Sequence, residues 1–218
     1  MDSDVAHVAS LLAEPARARM VAALMNGRSL PAGELAAAAG ISAQTASNHL
    51  GKLLAANILR MQPSGRHRYY QLAGSPVAVA FESLAVLANR RPKCDEHTAR
   101  LRHCYSHMAG TIAVGIADAM VRTGVLTAET QGKFGITPPG RQWFGELGVL
   151  PLATKACLDW TERRPHLGGP LGVALFHRFM ELDWIAKTRN SRALRITPAG
   201  ARQMEKLFGL KIPARWVN

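Results

Sequence analysis

Between Ile41 and Leu72 the chain reads Ile-Ser-Ala-Gln-Thr-Ala-Ser-Asn-His-Leu and later Ser-Gly-Arg-His-Arg-Tyr-Tyr-Gln-Leu, and this stretch constrains the fold more than any other. Ser42 is a hydroxyl residue placed to cap a helix whose apolar residues Leu50, Leu53 and Leu54 recur at helical spacing. Gln44, Thr45, Asn48, His49 and Lys52 share another face, with Ser47 beside them. Short polar side chains on the N-terminal half of a helix can hydrogen-bond base edges in the major groove, whereas Lys52 and the helix N-terminus suit phosphates. An amphipathic helix with a solvated polar face would look the same in isolation, so the flanking segments decide between the readings.

Upstream, Pro15 stands at a first helical position and Asn26-Gly27 at a helix stop. Leu30 to Ala39 then forms a short second helix closed by Gly40, and the turn into the capped helix completes a helix-turn-helix. Downstream, Ile58 to Met61 and His67 to Leu72 are β-prone runs around Gln62-Pro63-Ser64-Gly65-Arg66, the pattern of a hairpin. Arg60, Arg66 and Arg68 are expected to cluster beside its turn, within reach of phosphates or the minor groove, with His67 between them. A solvated arginine-rich loop is the alternative.

On these residues the chain resembles the ArsR-type winged-helix repressors of bacteria. The likeness is carried by Leu12 to Arg17, Ser42 to Leu50 and Gly65 to Tyr70, and covers the N-terminal part of the chain. It implies a homodimer on palindromic operator DNA, released by an inducer. It also implies dimer helices near Val5 to Leu12 and Val77 to Ala88, with Val77, Phe81, Leu84 and Leu87 either in the interface or in the monomer core. The family's usual metal sites are missing from the sequence. Where arsenic-sensing members carry a cysteine pair, this chain has Glu34-Leu35-Ala36-Ala37-Ala38-Ala39, and Pro76 to Ala88 holds no histidine for the usual zinc site. Asp95 and His97 make an Asp-x-His triplet that no matching His and acid pair follows.

A formal net charge of +12 on 218 residues favours a polyanionic partner but does not distinguish DNA from RNA or acidic lipid. No apolar run has the length of a membrane span, and the acidic N-terminus lacks a signal-peptide pattern, which predicts a cytoplasmic protein. The three cysteines lack a disulfide framework.

A basic segment, Asn89-Arg90-Arg91-Pro92-Lys93, marks the expected boundary between a DNA-binding and dimerisation domain over 1–91 and an effector or oligomerisation domain over 92–218. The second part repeats itself over about 103–149 and 162–209. His107-Met108-Ala109-Gly110 recurs as His166-Leu167-Gly168-Gly169, and Ile136-Thr137-Pro138-Pro139-Gly140 as Ile196-Thr197-Pro198-Ala199-Gly200. Each copy reads as helix, hairpin and helix, with Thr137 and Thr197 as caps. Two such units can bury Trp143, Phe144, Phe176, Phe179, Trp184 and Phe208 about a pseudo-twofold axis. The predicted class is mainly α with small β-hairpins, an α+β chain of a winged helix-turn-helix followed by two pseudo-repeats.

Chemistry in the second part falls on Cys94, Cys104, His107, Cys157 and His166. Cys104 and His107 are three apart, a spacing that shares a face on a helix, and suit a soft or borderline metal or metalloid ion. Thiol sensing of oxidants is the second option, with Arg102, Arg163 or Arg164 lowering a thiol pKa, and structural packing the third. Aligned on the histidines, the second copy carries arginine where the first has Cys104, which argues against a symmetric pair of sites. No glycine-rich nucleotide loop, acid/base pair or nucleophile elbow is present, so a winged-helix module attached to an enzyme such as a methyltransferase is disfavoured. A nonspecific architectural protein needs only basic charge, whereas the polar face from Gln44 to His49 argues for reading sequence.

Overall fold

In the computed structural model, residues 2–25, 27–65, 67–88, 95–189 and 191–217 are described. Arg66 and Cys94, both candidates above, lie outside them, as does the expected boundary at 89–93. Two compact units divide the chain into residues 1–81 and 82–218.

The first unit opens with helices α1 (Asp2–Ala13) and α2 (Pro15–Leu24), the latter with Pro15 in its first turn. Strand β1 (Leu30–Pro31) leads into α3 (Ala32–Ala39), so the helix expected from Leu30 begins two residues later, after Pro31. Leu30 and Pro31 instead pair with Tyr70 and Tyr69. Gly40 closes α3 in the left-handed region at φ 67°, where a side chain would be strained. Helix α4 (Ala43–Ala55) follows directly and buries Ala46, Leu50 and Leu53 against α2 and α3. Strands β2 (Leu59–Ser64) and β3 (His67–Leu72) form the wing, giving a sheet in the order β1-β3-β2. The hairpin is longer than the sequence suggests: Gln62, Pro63 and Ser64 belong to β2, with Ser64 opposite His67. Because β2 is an edge strand, Pro63 needs no amide donor on its free side. Helix α5 (Ser75–Leu87) crosses the division between the units.

The second unit is the predicted pair of repeats, each with one element more than expected. After α6 (Glu96–Arg100) comes a hairpin of β4 (Arg102–Cys104) and β5 (His107–Ala109), then α7 (Thr111–Arg122), an isolated bridge from Leu126 to Ile136, and α8 (Pro138–Glu146). The second copy runs β6 (Lys155–Leu158), β7 (Pro165–Gly168), α9 (Gly169–Glu181), β8 (Ile185–Lys187), β9 (Leu194–Ile196) and α10 (Pro198–Phe208). The two copies pack reciprocally, α7 on β7 and α9 on β5, with β5 beside β7. Phe144, Phe176, Phe179, Trp184 and Phe208 are buried in the shared core, and Trp143 packs against it half-buried.

The repeated Ile-Thr-Pro-x-Gly element has a mechanical explanation. Thr137 Oγ1 accepts from the Gly140 amide at 2.9 Å and donates to the Gly124 carbonyl at 2.6 Å. Thr197 does the same with the Gly200 amide at 3.0 Å and the Asp183 carbonyl at 2.5 Å. A Cβ at Gly140 or Gly200 would overlap the carbonyl oxygen of Val125 or Trp184. Cap and glycine together clamp the start of each second helix onto the strand-like segment before it.

Candidate functional site

In the first unit the Ser42 hydroxyl accepts from the Thr45 amide at 3.2 Å and fixes the start of α4. Gln44, Thr45, Ser47, Asn48 and Lys52 are all exposed on that helix. His49 differs: it is half-buried, and its Nδ1 lies 3.2 Å from Nη1 of the buried Arg17. A guanidinium can only donate, so Nδ1 is the acceptor and Nε2 is the ring nitrogen left to donate outward. Arg17 also donates to the carbonyls of Ser10 and Leu11 at the end of α1. It thereby ties α1 to the recognition helix, a role not anticipated from the sequence, where Arg17 was only part of a matching motif.

On the wing, Arg60, His67 and Arg68 are exposed, but Arg60 and Arg68 do not cluster. Arg60 pairs with Gln71 near the base, and Arg68 with Pro63 near the tip. Strand alternation places them on opposite faces, Arg68 on the face that lower down carries Tyr70 and Leu72, both buried.

The second unit brings together four of the five metal or redox candidates: one ligand atom from each of Cys104, His107, Cys157 and His166 lies within 4.8 Å of the others. Cys104, His107 and His166 are buried and Cys157 is half-buried. The helical reading of the Cys104 to His107 spacing is overturned. These residues sit directly opposite each other on β4 and β5, as Cys157 and His166 do on β6 and β7. Opposed residues of an antiparallel pair project to the same side, so each hairpin presents a thiol beside an imidazole. The sequence alignment that placed arginine opposite Cys104 fails for the same reason: strand register, not distance along the chain, makes Cys157 the counterpart of Cys104. Packing of β5 on β7 then sets Nε2 of His107 3.0 Å from Nε2 of His166.

Around this cluster the polar groups are organised by Asp159, fully buried and not anticipated as functional. Its carboxylate accepts twice from Arg102 Nη2 at 3.0 Å, from the Gly110 amide at 2.6 Å, and from the Thr161 amide and hydroxyl at 2.9 and 2.6 Å. Its Oδ2 lies 3.4 Å from Nδ1 of His166. Burial opposes the charge on Asp159, but His166, Arg102 and the other donors outweigh it and hold the carboxyl well below the usual carboxylate range. His166 is also held up against its burial by Asp159 and Cys104. Cys104 is pushed up to about 12 by its contact with the Cys157 sulfur and by burial, while the same contact draws Cys157 down. Arg102 is committed to Asp159 with its guanidinium 4.5 Å over Trp160, and Arg164 to Asp118 at 2.7 Å, so both have carboxylate partners of their own. The sequence signal for Asp159 was an acid placed two residues after a candidate ligand, directly beyond the end of β6.

A capped polar helix braced by α2 and α3 and flanked by a β-hairpin wing defines a winged helix-turn-helix DNA-binding protein. The profile of the helix-turn-helix domain family matches residues 12–62. The chain is 39% identical over 229 residues to the HTH-type transcriptional regulator YdfF of Bacillus subtilis, covering 97% of this chain and 100% of that one. It is 36% identical over 83 residues to the HTH-type transcriptional regulator CmtR of Mycobacterium bovis, covering 38% of this chain and 70% of that one. The chain belongs to the HTH-type transcriptional regulators. Among solved structures, it is similar to a homodimeric winged helix-turn-helix DNA-binding domain from Mycobacterium bovis, described as a possible ArsR-family regulator, at 29% identity and TM-score 0.37 over 40% of this chain and 80% of that one. Among the described residues, no helix is long and apolar enough to cross a membrane.

Proposed function

We propose that this transcriptional regulator is a cytoplasmic, operator-binding homodimeric repressor of ArsR type, which releases duplex DNA when an inducer engages its C-terminal unit. The observation that carries the reading is the exposed row Gln44, Thr45, Ser47 and Asn48 on the capped N-terminal half of α4. In this reading Gln44, Thr45, Asn48 and the Nε2–H of His49 contact base edges, with Nε2–H suited to an acceptor such as guanine N7 or O6. Lys52, Arg60 and Arg68 hold phosphates, as does Arg66. The dimer is favoured by apolar side chains left exposed on α1 and α5: Val5 is 65% and Val8 41% exposed, Leu84 44% and Leu87 76%. The C-terminal unit acts as effector domain and not as enzyme, its inducer drawn from metal or metalloid ions, oxidants or small molecules.

The test is equilibrium binding to DNA from the protein's own upstream region and to random duplex, across a salt series. Asn48→Ala is expected to reduce binding to the specific duplex alone, by about 1–3 kcal/mol. Lys52→Ala is expected to weaken both duplexes and flatten the salt dependence by about one unit. Equal losses on both duplexes for both variants would refute the assignment of roles.

A further inference from the structure

We propose that Cys104, His107, Cys157 and His166 form a closed, four-coordinate zinc site that fastens the first hairpin of one repeat to the first hairpin of the other. None of its four residues occupies a sequence position where the family carries arsenic or zinc ligands, and it does not rest on the DNA-binding reading.

The donor set is the first argument. Two thiols and two imidazoles are the ligands of closed tetrahedral zinc sites, whereas carboxylate-rich sets suit harder ions. The second is distance. Zinc bonds of about 2.0–2.3 Å give a tetrahedron with edges of roughly 3.3–3.8 Å. The four donor atoms already lie within 4.8 Å of one another, so small side-chain rotations complete the polyhedron without moving a strand. Third, the His107 and His166 Nε2 atoms face each other at 3.0 Å. An ion between the rings would take a lone pair from each.

The surroundings prepare these ligands. Nδ1 of His166 is buried without a hydrogen bond among the described residues and lies 3.4 Å from Oδ2 of Asp159, so a small turn of the ring would give its proton to the carboxylate and leave the Nε2 lone pair for the cluster. Asp159 is itself held by Arg102 and by the amide of Gly110, just beyond β5. The outer carboxylate beside the ligand of one hairpin is thus anchored to the other. Gly168 leaves the room required: a Cβ there would stand 3.1 Å from Nε2 of His107 and 3.2 Å from Cβ of Cys157. With all four positions filled by protein ligands, the ion has no site for substrate, and its role is to hold the repeats in register.

Full-length protein produced with zinc and desalted should carry about one zinc per chain, released in step with modification of two thiols by an organomercurial. Cobalt in its place should give the thiolate charge-transfer and intense visible bands of tetrahedral S2N2 coordination. Cys157→Ser and His166→Ala should each weaken zinc retention at least about tenfold. Zinc-free protein whose cobalt spectrum shows only weak, oxygen-ligated bands would overturn the proposal. So would zinc retained undiminished in both variants, or a Cys104–Cys157 disulfide in protein isolated without oxygen. The cobalt spectrum of the unaltered chain decides the matter even if the variants do not fold. Specific DNA binding by a chain that fails the zinc and cobalt tests would leave the regulator reading intact.

Discussion

Replacing Asp159 with alanine removes the carboxylate partner of Arg102, a fully buried charge. Arg102 and Asp159 are both 0% exposed, and the carboxylate satisfies two contacts from Arg102 Nη2 together with the Gly110 and Thr161 amides. Deleting one partner of a buried ion pair costs about 3–5 kcal/mol, because the remaining charge is desolvated without compensation. The stranded amide donors belong to the same loss and do not add in full. The stability constant of the C-terminal unit should therefore fall by roughly two to nearly four powers of ten. The four tryptophans, Trp143, Trp160, Trp184 and Trp216, all lie in the unit spanning residues 82–218, so tryptophan emission during urea unfolding reports that unit. Trp160, under the Arg102 guanidinium, is the most direct reporter. Free zinc must be held constant across variants, since any ion bound to the native state adds to apparent stability. The Arg102→Met, Asp159→Ala double variant should lose less than the two single changes combined, with a coupling above about 1 kcal/mol. A loss below about 1 kcal/mol for Asp159→Ala, or strict additivity in the cycle, would show that the pair is not the uncompensated burial argued here.

Ser42→Ala, which removes the cap hydroxyl of α4, should destabilise the N-terminal unit by about 1 kcal/mol, read from amide exchange in α4. Gly200→Ala forces a methyl group into the Trp184 carbonyl oxygen and should lower the urea midpoint followed by tryptophan emission far more than Gly145→Ala, whose Cβ meets nothing within 4 Å. Leu87→Glu places a charge at an apolar side chain left 76% exposed on α5. It should shift sedimentation equilibrium toward monomer, and an unchanged dimer would exclude that side chain from the interface.

Legibility in the sequence followed the range of the interactions. Helix α4 was readable because its determinants are local: Ser42 caps within three residues, and Leu50 and Leu53 repeat at the helical period. The paired Ile-Thr-Pro-x-Gly elements were readable for the same reason, each being a cap that acts within its own turn. The extent of the wing was understated because Pro63 reads as a turn residue, although an edge strand tolerates it. The geometry of the cysteines and histidines was misread because spacing of three suggests a helical face. The backbone instead turns back between Cys104 and His107, with Tyr105 at φ 54° in the turn.

By itself the sequence determined the kind of elements present, the helix-turn-helix with its polar face, the duplication of the second half and the residue types capable of binding an ion. Tertiary structure alone decided that His49 is held from behind by Arg17, that Arg60 and Arg68 part company on the wing, and that Asp159 joins the two hairpins. It also decided that Cys157, 53 positions beyond Cys104 by residue number (157 − 104), is the partner the cluster requires. The reason is physical: capping and periodicity act within a turn or two of the backbone, whereas strand register and the packing of one repeat on another bring together residues that no local pattern connects.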